Sequence, residues 1–139
     1  MKNMRMLHSD DGGKLVLRLT IGILILLHGI DKLQSGVGPI AGMLTTSGLP
    51  AALAYMVFVG EILAPLGLIL GVFTRISALV LVVNMLFAIG LAHMEQLYTL
   101  TKSGGWGIEL QALFLFGALA IVLLGPGRFS LQSAASKWN

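Results

Sequence analysis

Hydrophobic residues fill four long stretches of this chain, and short polar or glycine-rich segments separate them. The stretches cover residues 14–31, 50–72, 75–93 and 106–125. Each is close to the roughly 20 residues that an α-helix needs to cross the hydrocarbon core of a bilayer. The pattern therefore predicts an all-α, polytopic membrane protein, folded as a bundle of four transmembrane helices.

The segments outside these stretches predict one further helix and two tails. Residues 39–48 begin with a proline, end with a glycine and carry apolar residues at helical spacing. We expect a short helix there, lying at the membrane surface in the first outer loop. Residues 14–128 are then the transmembrane domain, and residues 1–13 and 129–139 are terminal tails in water.

Composition supports a membrane location and removes several classes of function. Of the 139 residues, 56% are hydrophobic and only 11% are charged, which is far from the makeup of a soluble domain. Cysteine is absent, which excludes disulfides, thiolate-bound zinc and cysteine-bound iron–sulfur clusters in this chain. The Lys and Arg residues are scattered rather than clustered, so we expect no nucleic-acid binding. The lipid bilayer is the predicted partner.

The distribution of Lys and Arg predicts the orientation of the bundle. Four spans bring both termini to one side, and that side carries the larger share of these residues. The positive-inside rule places the richer side, and so both termini, in the cytoplasm. The richer side has Lys2, Arg5, Lys14, Arg75, Arg128 and Lys137, and the other side has Lys32 and Lys102.

Ionisable residues stand within the hydrophobic stretches, where a lipid-facing helix would carry none. A charge at bilayer depth is costly, so such residues usually face a protein interior or a water-filled cavity and mark function. The candidate ligand-binding or proton-relay residues are Arg18, His28, Glu61, His93 and Glu109.

Glu61 is the strongest single candidate. Pro65 follows it by four residues and has no N–H to donate to the Glu61 backbone carbonyl. Glu61 therefore offers a side-chain carboxylate and a free backbone carbonyl at the same depth in the bundle. One interpretation is a functional site near the middle of the membrane. The other is that Glu61 pairs with Arg18 and only holds two helices together, because helical rise separates the two by about 7 Å.

Two histidines approach the outer ends of their helices. Asp31 lies one turn after His28 and can orient its imidazole, although His28 can also simply reach for the headgroup region. On the third stretch, Asn84 shares a helical face with Glu95 rather than with His93. We therefore expect His93 inside the bundle and Glu95 in water, with Asp31, Asn84 and Pro65 supporting the site.

Glu109 begins an uncharged run after the glycine-rich residues 103–107. It either joins the polar site or is stabilised by the positive end of its own helix alone. His28, His93, Glu61 and Glu109 together offer two nitrogens and two oxygens to a divalent metal, without a diagnostic spacing. The two histidines also suit a haem, with no further support in the sequence.

Short motifs follow one another in a fixed order along the chain. They are Leu17-Arg18-Leu19, His28-Gly29, Lys32-Leu33, Gly60-Glu61-Ile62-Leu63, Gly71-Val72-Phe73-Thr74-Arg75, His93, Gly107-Ile108-Glu109 and Gly125-Pro126-Gly127-Arg128-Phe129-Ser130-Leu131. Together they resemble the DoxX family of small bacterial inner-membrane proteins, from about Leu15 to Gln132. Gln132 departs from the family pattern, which often has Asp there.

The resemblance implies a four-helix protein of the bacterial inner membrane, whose recurrent polar positions are the five candidates above. It also implies an association with quinone-linked sulfur oxidation or with membrane oxidoreductase complexes that handle oxidative stress. We therefore expect a membrane component of a redox system, with a quinone as ligand and a membrane or periplasmic oxidoreductase as partner.

Two other functions stay open at this point. One is a small proton or solute transporter or channel subunit, and the other is a membrane scaffold that recruits partner proteins. A homo-oligomer is compatible with each of the three hypotheses. No nucleophile motif or phosphate-binding loop assigns a reaction to the chain itself, so whether it is an enzyme stays open.

Overall fold

The computed structural model of the chain describes residues 9–132, 136 and 139. Within these residues the fold is all-helical, apart from an isolated antiparallel bridge between Leu100 and Trp106. Three helices are long and apolar enough to cross a membrane, and a fourth apolar helix is shorter. The predicted fold class is therefore confirmed. Lys2, Arg5 and Lys137, which the predicted orientation uses, lie outside the described residues.

In the described part of the chain, π turns and 3₁₀ turns extend two of the α-helices. The α-helices are α1 (Asp10–Ser35), α2 (Gly38–Thr46), α3 (Ala64–Leu70), α4 (Thr74–Ala88) and α5 (Glu109–Leu124). A 3₁₀ turn (Ala51–Met56) and a π turn (Val59–Leu63) precede α3, and a π turn (Ile89–His93) and a 3₁₀ turn (Met94–Gln96) follow α4. The short helix predicted over residues 39–48 is α2.

Helix α1 begins earlier than the hydrophobic pattern predicts. The Ser9 side chain accepts a hydrogen bond from the backbone N–H of Gly12 at 3.0 Å, and Asp10 and Asp11 occupy the first turn. A serine cap followed by acidic residues stabilises the positive end of a helix. Residues 10–13, which we expected in a polar tail, are therefore helical, and residues 1–8 of that predicted tail lie outside the described residues.

The core of the bundle is apolar and lies between α1, α3, α4 and α5. Its largest fully buried side chains are those of Ile25, Leu68, Leu81 and Ile121. Gly22 allows close packing, because a Cβ there would lie 2.9 Å from Ile69 and 3.1 Å from the Pro65 carbonyl oxygen. This core occupies the middle of the bundle and separates two polar regions at its ends.

We call the two ends of the bundle the terminal end and the loop end. At the terminal end, α1 begins, α3 turns into α4 and α5 finishes, and residues 125–132 fold back across that turn. Leu131 donates its backbone N–H to Leu70 at 3.1 Å, and Gln132 donates to Gly71 at 3.2 Å. Residues 129–132 of the predicted C-terminal tail are thus attached to the bundle rather than free in water. The loop end carries α2 and residues 94–108.

Candidate functional site

An ion pair joins α1 to the π turn before α3 at the loop end. Lys32 of α1 places its Nζ atom 2.6 Å from Oε1 and 2.8 Å from Oε2 of Glu61. The Glu61 side chain is 6% exposed and that of Lys32 is 26% exposed. Glu61 therefore does not pair with Arg18, and the sequence-based interpretation that joined those two residues is wrong.

The backbone around Pro65 explains where Glu61 lies. Because Pro65 has no N–H, the helix adopts a π turn over Val59–Leu63, and Ala64 donates its N–H to the carbonyl of Val59 five residues earlier. The Glu61 carbonyl then faces α1 at Gly29, where any Cβ would overlap that oxygen. Lys32 is one turn beyond Gly29 on the same helical face, so this close approach sets Lys32 against Glu61.

Asn84 of α4 lies beside the ion pair. Its side chain packs on Gly60, the residue before Glu61, where a Cβ would come within 2.6 Å of the Asn84 Cγ atom. Asn84 is half-buried, whereas Glu95 is exposed. Asn84, which we expected to support the site, therefore lies on the face of α4 that packs inside the bundle.

His28 lies one turn before Lys32 on α1 and is exposed on the outside of the bundle. Its ring meets Phe114 of α5 edge to face, with ring centroids 6.0 Å apart and planes at 82°. Within the described residues, the Asp31 carboxylate makes no hydrogen bond or ion pair, so it does not orient His28 in the way the spacing suggested.

His93 forms the centre of a second hydrogen-bonded group. Its Nδ1 lies 2.8 Å from the Gln96 side-chain oxygen, and its Nε2 lies 3.2 Å from the side-chain nitrogen of Gln111. An amide oxygen accepts and an amide nitrogen donates, so the contacts fit a neutral imidazole protonated at Nδ1. Gln111 and Phe114 are one turn apart on α5, so both histidines contact the same face of that helix.

Glu109 stays outside these contacts. Its carboxylate is exposed in the first turn of α5 and lies over Gly105, where a Cβ would come within 2.5 Å of Oε2. No hydrogen bond or ion pair holds it among the described residues, which agrees with stabilisation by the helix end alone. The described part of the chain brings no three of its His, Asp and Glu residues together as metal ligands.

Arg18 occupies the opposite, terminal end of the bundle. The side chain is 1% exposed, and its Nη2 donates to the backbone carbonyl of Phe129. Its Nε and Nη1 atoms have no hydrogen-bond partner in the described structure, and neither does the buried hydroxyl of Thr74. Gly71 and Ser130 enclose Nη1, since a Cβ at Gly71 would overlap both. Arg18 thus points inward instead of reaching for the membrane surface.

Comparison with known proteins identifies the family. The DoxX family model matches residues 13–94 of the chain. The chain belongs to the DoxX family. Over 145 aligned residues it is 32% identical to the uncharacterized membrane protein Rv3486 of Mycobacterium tuberculosis, and the alignment covers 96% of this chain and 88% of the relative. No solved structure matches the chain. The predicted resemblance is confirmed.

The candidate site of this DoxX protein contains residues that the sequence pattern did not select. We define the loop-end cluster as Lys32, Glu61, His28, Asn84, His93 and Gln111. The sequence analysis uses Lys32 only for the orientation of the bundle and for a family motif, and it does not select Gln111. The available signal for Lys32 was its spacing of four residues from His28, and for Gln111 it was an amide inside an apolar helix.

Proposed function

We propose that this DoxX protein is the membrane component of a quinone-linked redox system, and that the loop-end cluster binds the quinone headgroup. The observation that carries the proposal is the Lys32–Glu61 ion pair, which is enclosed between two helices and lies one turn from the exposed His28. A buried pair of charges within apolar, membrane-spanning helices is costly to maintain and so favours a function.

The donors of the loop-end cluster fit the chemistry of a quinone. Its two carbonyl oxygens accept hydrogen bonds, and the Lys32 ammonium and the His28 imidazole are donors on one helical face. A bound quinone supplies two-electron, two-proton chemistry, with electrons from a partner oxidoreductase. Glu61 and His28 are the residues that hold or release protons beside it. Leu24 and Leu27, 44% and 58% exposed on the same helix, leave an apolar approach from the bilayer.

The proposed location is the bacterial inner membrane with both termini in the cytoplasm. Lys14, Arg75 and Arg128 lie at the terminal end, whereas Lys32 and Lys102 lie at the loop end. Because Lys32 is neutralised by Glu61, the free positive charge of the described residues is concentrated at the terminal end. The loop-end cluster then faces the periplasmic half of the membrane, where a membrane or periplasmic oxidoreductase is the partner we propose.

The transporter hypothesis receives less support from the same geometry. A proton or solute path needs polar groups from one end of the bundle to the other. Here Ile25, Leu68, Leu81 and Ile121 fill the interior between the loop-end cluster and Arg18. The polar residues therefore form two local regions separated by an apolar layer.

Quinone binding by the purified protein tests the proposal. We expect Glu61→Gln to weaken binding of decylubiquinone in nanodiscs by about tenfold, because Lys32 loses the carboxylate that positions it and the site loses a charge-assisted contact. Equilibrium dialysis measures the dissociation constant. Glu95→Gln is the matched control, since Glu95 is an exposed carboxylate at the same end. Equal affinity of wild type and Glu61→Gln rejects the proposal.

A further inference from the structure

We propose that the terminal end of the bundle binds the phosphate group of an anionic phospholipid, with Arg18 as the residue that holds it. The site is distinct from the loop-end cluster: Arg18 lies 14 residues before Lys32 on α1, about 21 Å by helical rise. The proposal does not depend on quinone binding, because no residue is shared between the two sites.

The first step of the argument is the unbalanced charge of Arg18. Its guanidinium is always protonated and carries five N–H groups on three nitrogens. Of these nitrogens, only Nη2 has an acceptor in the described structure. Asp11, an acidic residue of the first turn of α1, accepts from the backbone N–H of Arg128 at 3.0 Å and makes no ion pair with Arg18 in the described structure. A buried cation without an anion is strongly unfavourable, so an oxyanion ligand is the partner that the site requires.

The second step is a groove beside this guanidinium. The groove has a volume of about 280 Å³ and is lined by Ile69, Leu70, Phe129, Ser130 and Leu131. Phe129 and Ser130 also form the wall around Arg18, through the Phe129 carbonyl and the contact of Ser130 beside Gly71. Only this short segment separates the groove from the unpaired guanidinium nitrogens.

The third step identifies the occupant. Leu70 and Leu131 are 49% and 76% exposed, so the outer wall of the groove is apolar where the bundle meets lipid. A second cation stands at its rim, since the Arg128 guanidinium lies 5.0 Å from the centre of the Phe129 ring. Two cations next to an apolar wall match a phosphate attached to an acyl chain. Arginine binds phosphate through charge-assisted hydrogen bonds.

Binding requires a small displacement of residues 129–131. These residues are held to the turn before α4 by the backbone hydrogen bonds from Leu131 to Leu70 and from Gln132 to Gly71, and the Phe73 N–H also donates to the Gln132 side chain at 2.7 Å. Arg18 itself donates to the Phe129 carbonyl. We propose that an outward movement of residues 129–131 exchanges this carbonyl for the phosphate and opens Nε and Nη1 of Arg18 to the groove. The phosphate then supplies the acceptors that the described residues do not.

Native mass spectrometry and lipid titration test the proposal on the full chain. Protein in phosphatidylcholine nanodiscs is titrated with phosphatidylglycerol, and in a separate arm with inorganic phosphate. We expect wild type to retain phosphatidylglycerol, and Arg18→Gln to bind it at least about tenfold more weakly. Lys14→Gln, which removes a cation at the same end, is expected to change binding by less than about twofold because its charge is screened in water.

A groove variant keeps the test decisive if Arg18→Gln does not fold. Leu131→Gln alters an exposed side chain of the groove wall and is expected to weaken phosphatidylglycerol binding by about threefold through lost apolar contact. Unchanged binding in the Leu131→Gln and Arg18→Gln variants, or equal losses in Arg18→Gln and Lys14→Gln, overturns the proposal. Binding of inorganic phosphate without binding of the lipid also overturns it.

Discussion

The two ends of this DoxX protein treat buried charge in opposite ways. At the loop end, Lys32 and Glu61 neutralise one another, and the Lys32 ammonium donates hydrogen bonds to both carboxylate oxygens of Glu61. At the terminal end, Arg18 is more deeply buried and has one backbone carbonyl as its acceptor. The Lys32–Glu61 pair is balanced within the chain, whereas two nitrogens of the Arg18 guanidinium have no acceptor in the described structure. Burial therefore does not by itself show how a charge is satisfied; the partners of each donor do.

The largest expected effect comes from separating the ion pair. Lys32→Met leaves the Glu61 carboxylate buried without a partner and should lower the free energy of unfolding by about 3 kcal/mol or more. The double variant Lys32→Met/Glu61→Met removes both charges and should recover most of that loss. Reversible unfolding in mixed micelles measures each value. A double variant as unstable as Lys32→Met would show that the two residues act independently.

A somewhat smaller effect is expected from the close contact that positions the pair. Gly29→Ala places a methyl group on the Glu61 carbonyl oxygen, so α1 must move away from the π turn. We expect a loss of about 2–3 kcal/mol in the free energy of unfolding, measured in the same micelles. Gly13→Ala is the control within α1, because no atom lies within 4 Å of its added Cβ. Similar stabilities for the two variants would show that the helix contact is not tight.

The smallest effect is expected at Arg18, where the comparison between the two ends is sharpest. In phosphatidylcholine, Arg18→Met replaces an incompletely bonded buried cation by an apolar side chain and should raise the free energy of unfolding by about 1–2 kcal/mol. In phosphatidylglycerol, only the wild type should gain stability from the lipid, as binding to the native state predicts. A loss in phosphatidylcholine as large as that of Lys32→Met would mean that Arg18 is satisfied within the chain.

The apolar helices and the missing N–H at Pro65 followed from the sequence, but the partner of Glu61 did not. The pairing with Arg18 assumed one ideal α-helix counted from residue 50. The second span instead starts with a 3₁₀ turn and continues through a π turn. These turns change both the rise and the rotation per residue. The Glu61 carbonyl therefore meets Gly29, 11 residues beyond Arg18 and about 16 Å from it along α1.

His93 shows the same limit, because its position followed from the sequence and its partner did not. We expected His93 inside the bundle, and its half-buried ring is hydrogen-bonded there to Gln111, a residue that the sequence did not select. The role of Gln111 depended on the rotation of α5, which nearly uniform hydrophobicity does not fix, since an apolar helix of this kind has no marked polar face. Periodicity can orient an amphipathic helix, but it gives little information about a helix that is apolar on all sides.

The sequence by itself determined the membrane location, the four spans, the short helix after the first span and the set of polar residues that lipid would not tolerate. Length and hydropathy decide these features, because the cost of exposing apolar groups to water, or charges to hydrocarbon, adds up locally along the chain. The tertiary structure alone decided that Lys32 neutralises Glu61 and that Arg18 stays incompletely bonded. Those outcomes depend on helix rotation and depth, which backbone turns and a single glycine contact fix between distant parts of the chain.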